Sequence, residues 1–169
     1  MLNYQIIPML ESHWPNVKKI YKEGMITGIA TFQNDLPTWD EWNQEHCNSC
    51  RFVIEEDHQI LGWAALTPTS NRCIFAGVAE VSIYISPQHQ GKSLGTELLM
   101  KLIAESEVSG YWTLQAGILR ENIGSYKLHL KCGFREVGYR EKIGQTSDGL
   151  WHDMILMERR SNNLFLPLT

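Results

Sequence analysis

The stretch Glu80–Leu99, "EVSIYISPQHQGKSLGTELL", decides the fold: an alternating apolar strand opens into a turn, and the turn opens into an amphipathic helix. Such a junction turns backbone N–H groups and the positive end of a helix dipole toward one point, which makes an anion site. Gly91 and Gly95 remove side chains where a ligand must come close to the backbone, and Gln90 and Lys92 can add donors. The nucleotide triphosphatase pattern G-x-x-x-x-G-K-[ST] is met at Gly91, Lys92 and Ser93 but fails at Ser86, where its first glycine should stand. A triphosphatase also needs a later apolar strand ending in an aspartate for magnesium, and "YWTLQAGI" (Tyr111–Ile118) ends in no carboxylate.

Working outward, Glu80, Ser82 and Tyr84 share one face of the strand, while Val81, Ile83 and Ile85 share the other. A carboxylate inside a central strand is costly unless it is partnered or functional, so Glu80 is a candidate general base. Downstream, "RENIGSYKLHLKCGF" (Arg120–Phe134) places Asn122 and Ser125 at a helix start, where short polar side chains cap the helix or touch a ligand. His129 lies one turn beyond Ser125 on the same face and can relay protons near neutral pH.

The remaining elements follow from periodicity. "NYQIIPM" (Asn3–Met9) reads as a strand. Glu11–Met25 reads as a helix, with Trp14, Val17, Ile20, Tyr21 and Met25 on one face. "TWDE" carries the Thr38 and Glu41 of a capping box, so a short helix begins there. "RFVIEE" and "ILGWAALTP" form a hairpin around the polar "DHQ". Leu94–Val108 forms a helix with Leu94, Leu98, Leu99, Leu102 and Ile103 inward, and Gly133 closes the helix after "NIGSYKLHLKC". "FREVGYREK" and "LWHDMILMER" are the last two strands. Hairpins at the front and helix crossovers after the fourth strand require a mixed sheet with helices on its faces.

Composition sets the bounds. The chain has 169 residues, 43% of them hydrophobic, enough for one substantial core: residues 1–160 form one domain and 161–169 a tail. A net charge of -4 leaves no basic excess for nucleic acid or an anionic membrane, and a small-molecule partner is expected. No stretch approaches the roughly 20 apolar residues of a membrane span, and the N-terminus lacks a signal-peptide pattern, so the expected location is the cytoplasm. "HCNSC" brings His46, Cys47 and Cys50 together, but neither Cys73 nor Cys132 supplies a second ligand pair, and no metal is expected.

Three runs carry a resemblance: "AEVSIYISPQHQGKSLGTELL", "AGILRENIGSYKLHLKCGF" and the late "LWHDMILMER", together with "GIATFQNDLPTWDEW" (Gly28–Trp42). In order and spacing they resemble the GCN5-related N-acetyltransferase (GNAT) superfamily, most closely its phosphinothricin N-acetyltransferase-like group. The loop matches that superfamily's [QR]-x-x-G-x-[GA] pattern at Gln90 and Gly95, with Ser93 in place of the middle glycine. The resemblance implies an α/β (α+β) fold, with a mixed, mostly antiparallel sheet of about seven strands flanked by about four helices. It implies an acetyl-CoA-dependent N-acetyltransferase for a small amino-acid-like amine of the phosphinothricin, methionine sulfoximine or methionine sulfone type, working as a homodimer. By position it assigns Glu80 as catalytic base and His129 as aid to the leaving thiolate. Ile83, Tyr84, Ile85, Asn122 and Ser125 fall at the pantetheine arm. Gln90, Gly91, Lys92, Ser93, Leu94, Gly95 and Thr96 fall at the pyrophosphate, and Thr31, Phe32 and Arg72 at the acceptor. Acetylation of a polyamine or a protein N-terminus, and a non-catalytic acetyl-CoA-binding module, remain as alternatives.

Overall fold

The structure, a computed structural model, describes residues 4–164. Met1–Asn3 and residues 165–169 lie outside the described part, and with them Asn3 of the expected first strand and most of the expected tail. The elements run β1 (Tyr4–Pro8), α1 (Trp14–Ile26), α2 (Trp39–Glu45), β2 (Arg51–Glu56), β3 (Gln59–Pro68), β4 (Val78–Ile85), α3 (Leu94–Val108), β5 (Thr113–Leu119), α4 (Ile123–Lys131), β6 (Arg135–Gln145) and β7 (Trp151–Arg160). The seven strands form one sheet in the order β1-β2-β3-β4-β5-β7-β6. Every neighbouring pair is antiparallel except β4 and β5. The expected mixed sheet with four helices is the one observed.

Local chemistry explains most boundaries. α1 begins at Trp14 rather than Glu11, because Glu11–His13 is a 3-10 turn and Pro15, in the first helical turn, has no N–H to leave unpaired. Thr38 and Glu41 close a reciprocal capping box at α2. Asp57 and His58 both take positive φ, at 47° and 64°, the conformation that a two-residue hairpin turn demands. α3 occupies the expected span and buries Leu94, Leu98, Leu99, Leu102 and Ile103. Each such side chain stabilises the fold by roughly 1.5–3 kcal/mol.

β6 runs to Gln145, past the expected Lys142, with register shifts after Glu136 and Arg140. The start of the expected tail is held to the body: Ser161 is buried, and its N–H donates to the Trp112 carbonyl at 2.8 Å. Among the described residues no helix is long and apolar enough to cross a membrane.

The sheet separates two cores. Against one face α3 and α4 pack over Ile54, Ala64, Leu66, Val81, Leu114, Ala116 and Ile118. Against the other, α1 and α2 pack over Val53, Trp63 and Ala65, with Tyr84 at the edge. β4, fourth of the seven, is the central strand. It pairs with β5 only at Val78–Thr113, Ala79–Leu114 and Glu80–Gln115. Beyond that rung the two parallel strands part, and a cleft opens between them.

Candidate active site

The cleft encloses about 880 Å³ and reaches through the sheet from the α1/α2 side to the α3/α4 side. Its walls include Val81–Ile85 of β4, which carry no ladder partner from β5, and Ala116–Leu119 of β5 itself. The unpaired edge of β4 offers backbone donors and acceptors to an extended ligand, as an added strand would use them.

At the upper end of β4, the Ser86 N–H donates to the Leu61 carbonyl at 2.8 Å and the chain turns through Pro87–His89 into the loop. Gly91 has φ of 77°, which only glycine adopts without cost. Ser93, the N-cap of α3, sits in the left-handed region at φ 63° and ψ 5°, and its side chain caps nothing. The first-turn N–H groups of α3 are therefore available to an anion. Gly95 serves packing: a Cβ there would stand 3.2 Å from Leu128 of α4. Gln90 ties its amide to the Ile85 carbonyl at 3.4 Å. Gln90, Gly91, Ser93, Leu94, Gly95 and Thr96 line the cleft, and Lys92 stands outside its wall.

Glu80 lies in the cleft wall just where β4 and β5 part. Its side chain is accessible through the cleft, yet the surrounding protein mass raises its pKa above the usual carboxylate value by desolvation alone. Such a carboxylate holds a proton more readily than a surface glutamate, as a proton acceptor should.

On the other wall, Asn122 caps α4 by accepting from the Ser125 N–H at 3.2 Å. His129 is 2% exposed, with its ring edge against Phe134. Its Nδ1 lies 2.8 Å from the Ser125 carbonyl, which can only accept, so Nδ1 carries the hydrogen. Nε2 is then the bare lone pair, and it is buried without a partner among the described residues. Burial pushes the His129 pKa below the usual histidine value, so the ring is neutral at neutral pH.

The α1/α2 end is aromatic. Tyr84 stacks on Trp63 with centroids 4.9 Å apart and meets Tyr21 at 5.0 Å. Gly24 makes room, since a Cβ there would stand 2.6 Å from the Tyr84 ring. Tyr21 donates its hydroxyl to the Gln33 side chain, and burial pushes its pKa up to about 12. Thr31 and Phe32 both line the cleft, and Phe32 braces their loop against Gly144 and the His152 ring.

Arg72 is not in the wall. It is exposed on the β3–β4 connection, with its guanidinium 5.7 Å from the centre of the Phe75 ring. Ile83, Tyr84, Ile85, Asn122, Ser125 and His129 do converge on the cleft with Glu80. Sequence reasoning missed Tyr21, which reads as part of the apolar face of α1, and Trp42, Glu45 and His46 on and just after α2, which no motif marks as site residues. It also missed Lys127 and Lys131, four residues apart on α4.

Comparison with known proteins agrees with this geometry. The acetyltransferase (GNAT) family matches residues 14–134. The chain is 32% identical to a phosphinothricin N-acetyltransferase of Alcaligenes faecalis, over 88% of this chain and 78% of that protein. It is 34% identical to an L-methionine sulfoximine/L-methionine sulfone acetyltransferase of Salmonella typhimurium, over 63% of this chain and 61% of the relative. The solved structure of YncA from Salmonella typhimurium, with its cofactor acetyl-CoA, superposes with a TM-score of 0.87 at 26% identity, covering 98% of each chain.

Proposed function

The chain belongs to the acetyltransferase (GNAT) family, and from that premise we propose that it transfers the acetyl group of acetyl-CoA to the primary amine of a small amino-acid-like acceptor. The relatives named for phosphinothricin and for methionine sulfoximine and sulfone support that acceptor class. The observation that carries the reading is the parting of β4 and β5 above Glu80, with an anion cradle at the far end of the same strand.

In this reading the α3 N-terminus and Gln90–Thr96 hold the pyrophosphate, and Lys127 and Lys131 add positive charge. The free edge of Ile83–Ile85, with Asn122 and Ser125 opposite, takes the pantetheine arm. The acceptor enters from the α1/α2 side past Thr31 and Phe32, and Arg72 meets its carboxylate at the rim. Glu80 takes a proton from the ammonium, the freed amine attacks the thioester carbonyl, and β4 N–H groups stabilise the oxyanion. Transfer within a ternary complex needs only orientation and proton removal, so no cysteine relay is used. His129, neutral with Nε2 bare, must take up a proton before it can give one to the departing thiolate.

The reading extends to residues 1–160 as one catalytic domain and to a homodimer in the cytoplasm. Exposed Val137, Tyr139, Ile143, Leu150 and Trp151 around the β6–β7 hairpin support a paired surface. All four cysteines are free thiols, which suits a reducing compartment. A thiol-release screen with acetyl-CoA against amino acids, methionine sulfoximine, methionine sulfone, phosphinothricin and polyamines tests the function. Turnover of an α-amino acid analogue is expected. Acetyl-CoA binding with no acceptor turned over would leave a binding module instead.

A further inference from the structure

The cleft is electrically divided by the sheet. Strand alternation sends Glu80, Ser82 and Tyr84 to the α1/α2 face and Val81, Ile83 and Ile85 to the α3/α4 face. On the α3/α4 side the wall holds Lys127 and Lys131 and lies beside the positive end of α3. On the α1/α2 side its charged residues are Glu45 and Glu80, and among the described residues no lysine or arginine lines that half.

The remaining basic groups nearby do not supply a cation. His46 lies flat on Trp42 with ring centres 4.0 Å apart, and its Nδ1 is 2.7 Å from the Trp42 carbonyl. Burial takes its pKa down to about 4, so the ring is neutral in the working range. Arg51, 5.2 Å from the centre of the Trp42 ring, is outside the wall, and its guanidinium is bonded to Asn43, His46, Cys47 and Asn48. Arg72 lies out on Phe75. What remains on this side is a wall of tightly packed aromatic residues, Tyr21, Trp42 and Tyr84, whose only charged neighbours in the lining of this half, among the described residues, are the carboxylates of Glu45 and Glu80.

Carboxylates attract cations, and an anion placed inside this half meets two like charges and no cationic partner among the described residues of its wall. We propose that the acceptor chamber selects amines whose remote end is positively charged over amines whose remote end is negatively charged. The inference rests on the acetyltransferase reading and narrows it: the named relative's acceptor, phosphinothricin, carries a second anion that this chamber has no group to receive. The α-carboxylate is common to all amino-acid acceptors, so its placement cancels when they are compared.

Three α-amino acids isolate the effect: arginine, its uncharged near-isostere citrulline, and phosphinothricin. Each presents a single nucleophilic amine at neutral pH. At saturating acetyl-CoA and low salt, kcat/KM should fall in that order, with arginine at least about tenfold above phosphinothricin, and the spread should narrow in high salt. Glu45 is exposed, so its replacement leaves the fold intact. Glu45→Gln should shrink the arginine-to-citrulline ratio several-fold, and Glu45→Lys should move the preference toward phosphinothricin. Phosphinothricin equal to or better than arginine, or ratios that ignore the charge at position 45, would overturn the inference. Calorimetry of arginine and phosphinothricin on the CoA-loaded protein reads the same order without turnover. The expected binding order with no acetylation would strike the catalytic reading alone, and the reverse order would strike the inference alone.

Discussion

Glu80 of β4 faces Gln115 of β5 in the last rung of the parallel ladder, and the two strands part immediately above it. That one rung places a carboxylate at the floor of the opening through which the two halves of the cleft communicate. The backbone above it is unpaired, so the strand can serve as a binding edge while its side chains serve chemistry.

The loop predicts a stability gain. Ser93 holds a left-handed conformation that costs a non-glycine residue on the order of 1 kcal/mol or more. Ser93→Gly should stabilise the fold by about 1 kcal/mol, raise the Tm by about 2–4 °C and leave acetyl-CoA affinity equal or tighter. Thermal unfolding with and without acetyl-CoA measures both. A lower Tm would mean that the serine hydroxyl has a structural partner of its own.

Acid should weaken the protein through His46. Its folded pKa of about 4 lies below the unfolded value of about 6.5, so the unfolded state binds the extra proton between those values. Stability is therefore full above about pH 6.5 and falls as the pH drops toward 4, by up to roughly 3 kcal/mol from this group. His129 acts in the same direction. Urea unfolding at pH 7.5 and pH 4.5 should show the loss, and His46→Gln should flatten it. An unchanged slope in the variant would remove His46 as the cause.

His129 gives a second pH signature. A resting acid would make kcat fall as the pH rises through its pKa, whereas a neutral ring with Nε2 bare contributes no alkaline limb. Wild type and His129→Gln should share the same shape above pH 7 and differ only in height. Nitrogen-detected NMR of the ring should report the Nδ1–H tautomer. An alkaline limb lost in the variant would restore the resting-acid role.

Arg72 is expected to act on the acceptor. Arg72→Ala should raise the acceptor KM with little change in acetyl-CoA affinity, because an ion pair to a substrate anion acts in binding. Loss of acetyl-CoA affinity alone would place the residue on the wrong partner.

Much of this was legible because the signals are local. The Leu94–Val108 helix announces itself by its leucine spacing, the Thr38–Glu41 box by its capping chemistry, and the β2–β3 hairpin by its polar turn. The extent of β6 was not legible, since nearly all of its residues are exposed and leave no apolar alternation to follow. Nor was the parting of β4 from β5, because nothing local in either strand marks the rung at which their ladder stops. Trp42 and His46 carry no signal of the site: Trp42 is fully buried beside the cleft, and His46 falls in the "HCNSC" run, whose spacing raises only the question of a metal site. Lys92 matched a motif and yet stands outside the wall, because a loop's pattern fixes its backbone more tightly than its side chains.

The most direct test of the account is the effect of Glu80→Gln on turnover. The substitution keeps the shape and removes the base. kcat should fall by roughly 10²- to 10⁴-fold while acetyl-CoA affinity stays near wild type, and the deficit should shrink toward alkaline pH, where more of the amine is already neutral. Unchanged kcat from pH 6.5 to 9.5, a range that brackets the unperturbed α-amino pKa of roughly 7.7–8.0, would contradict it.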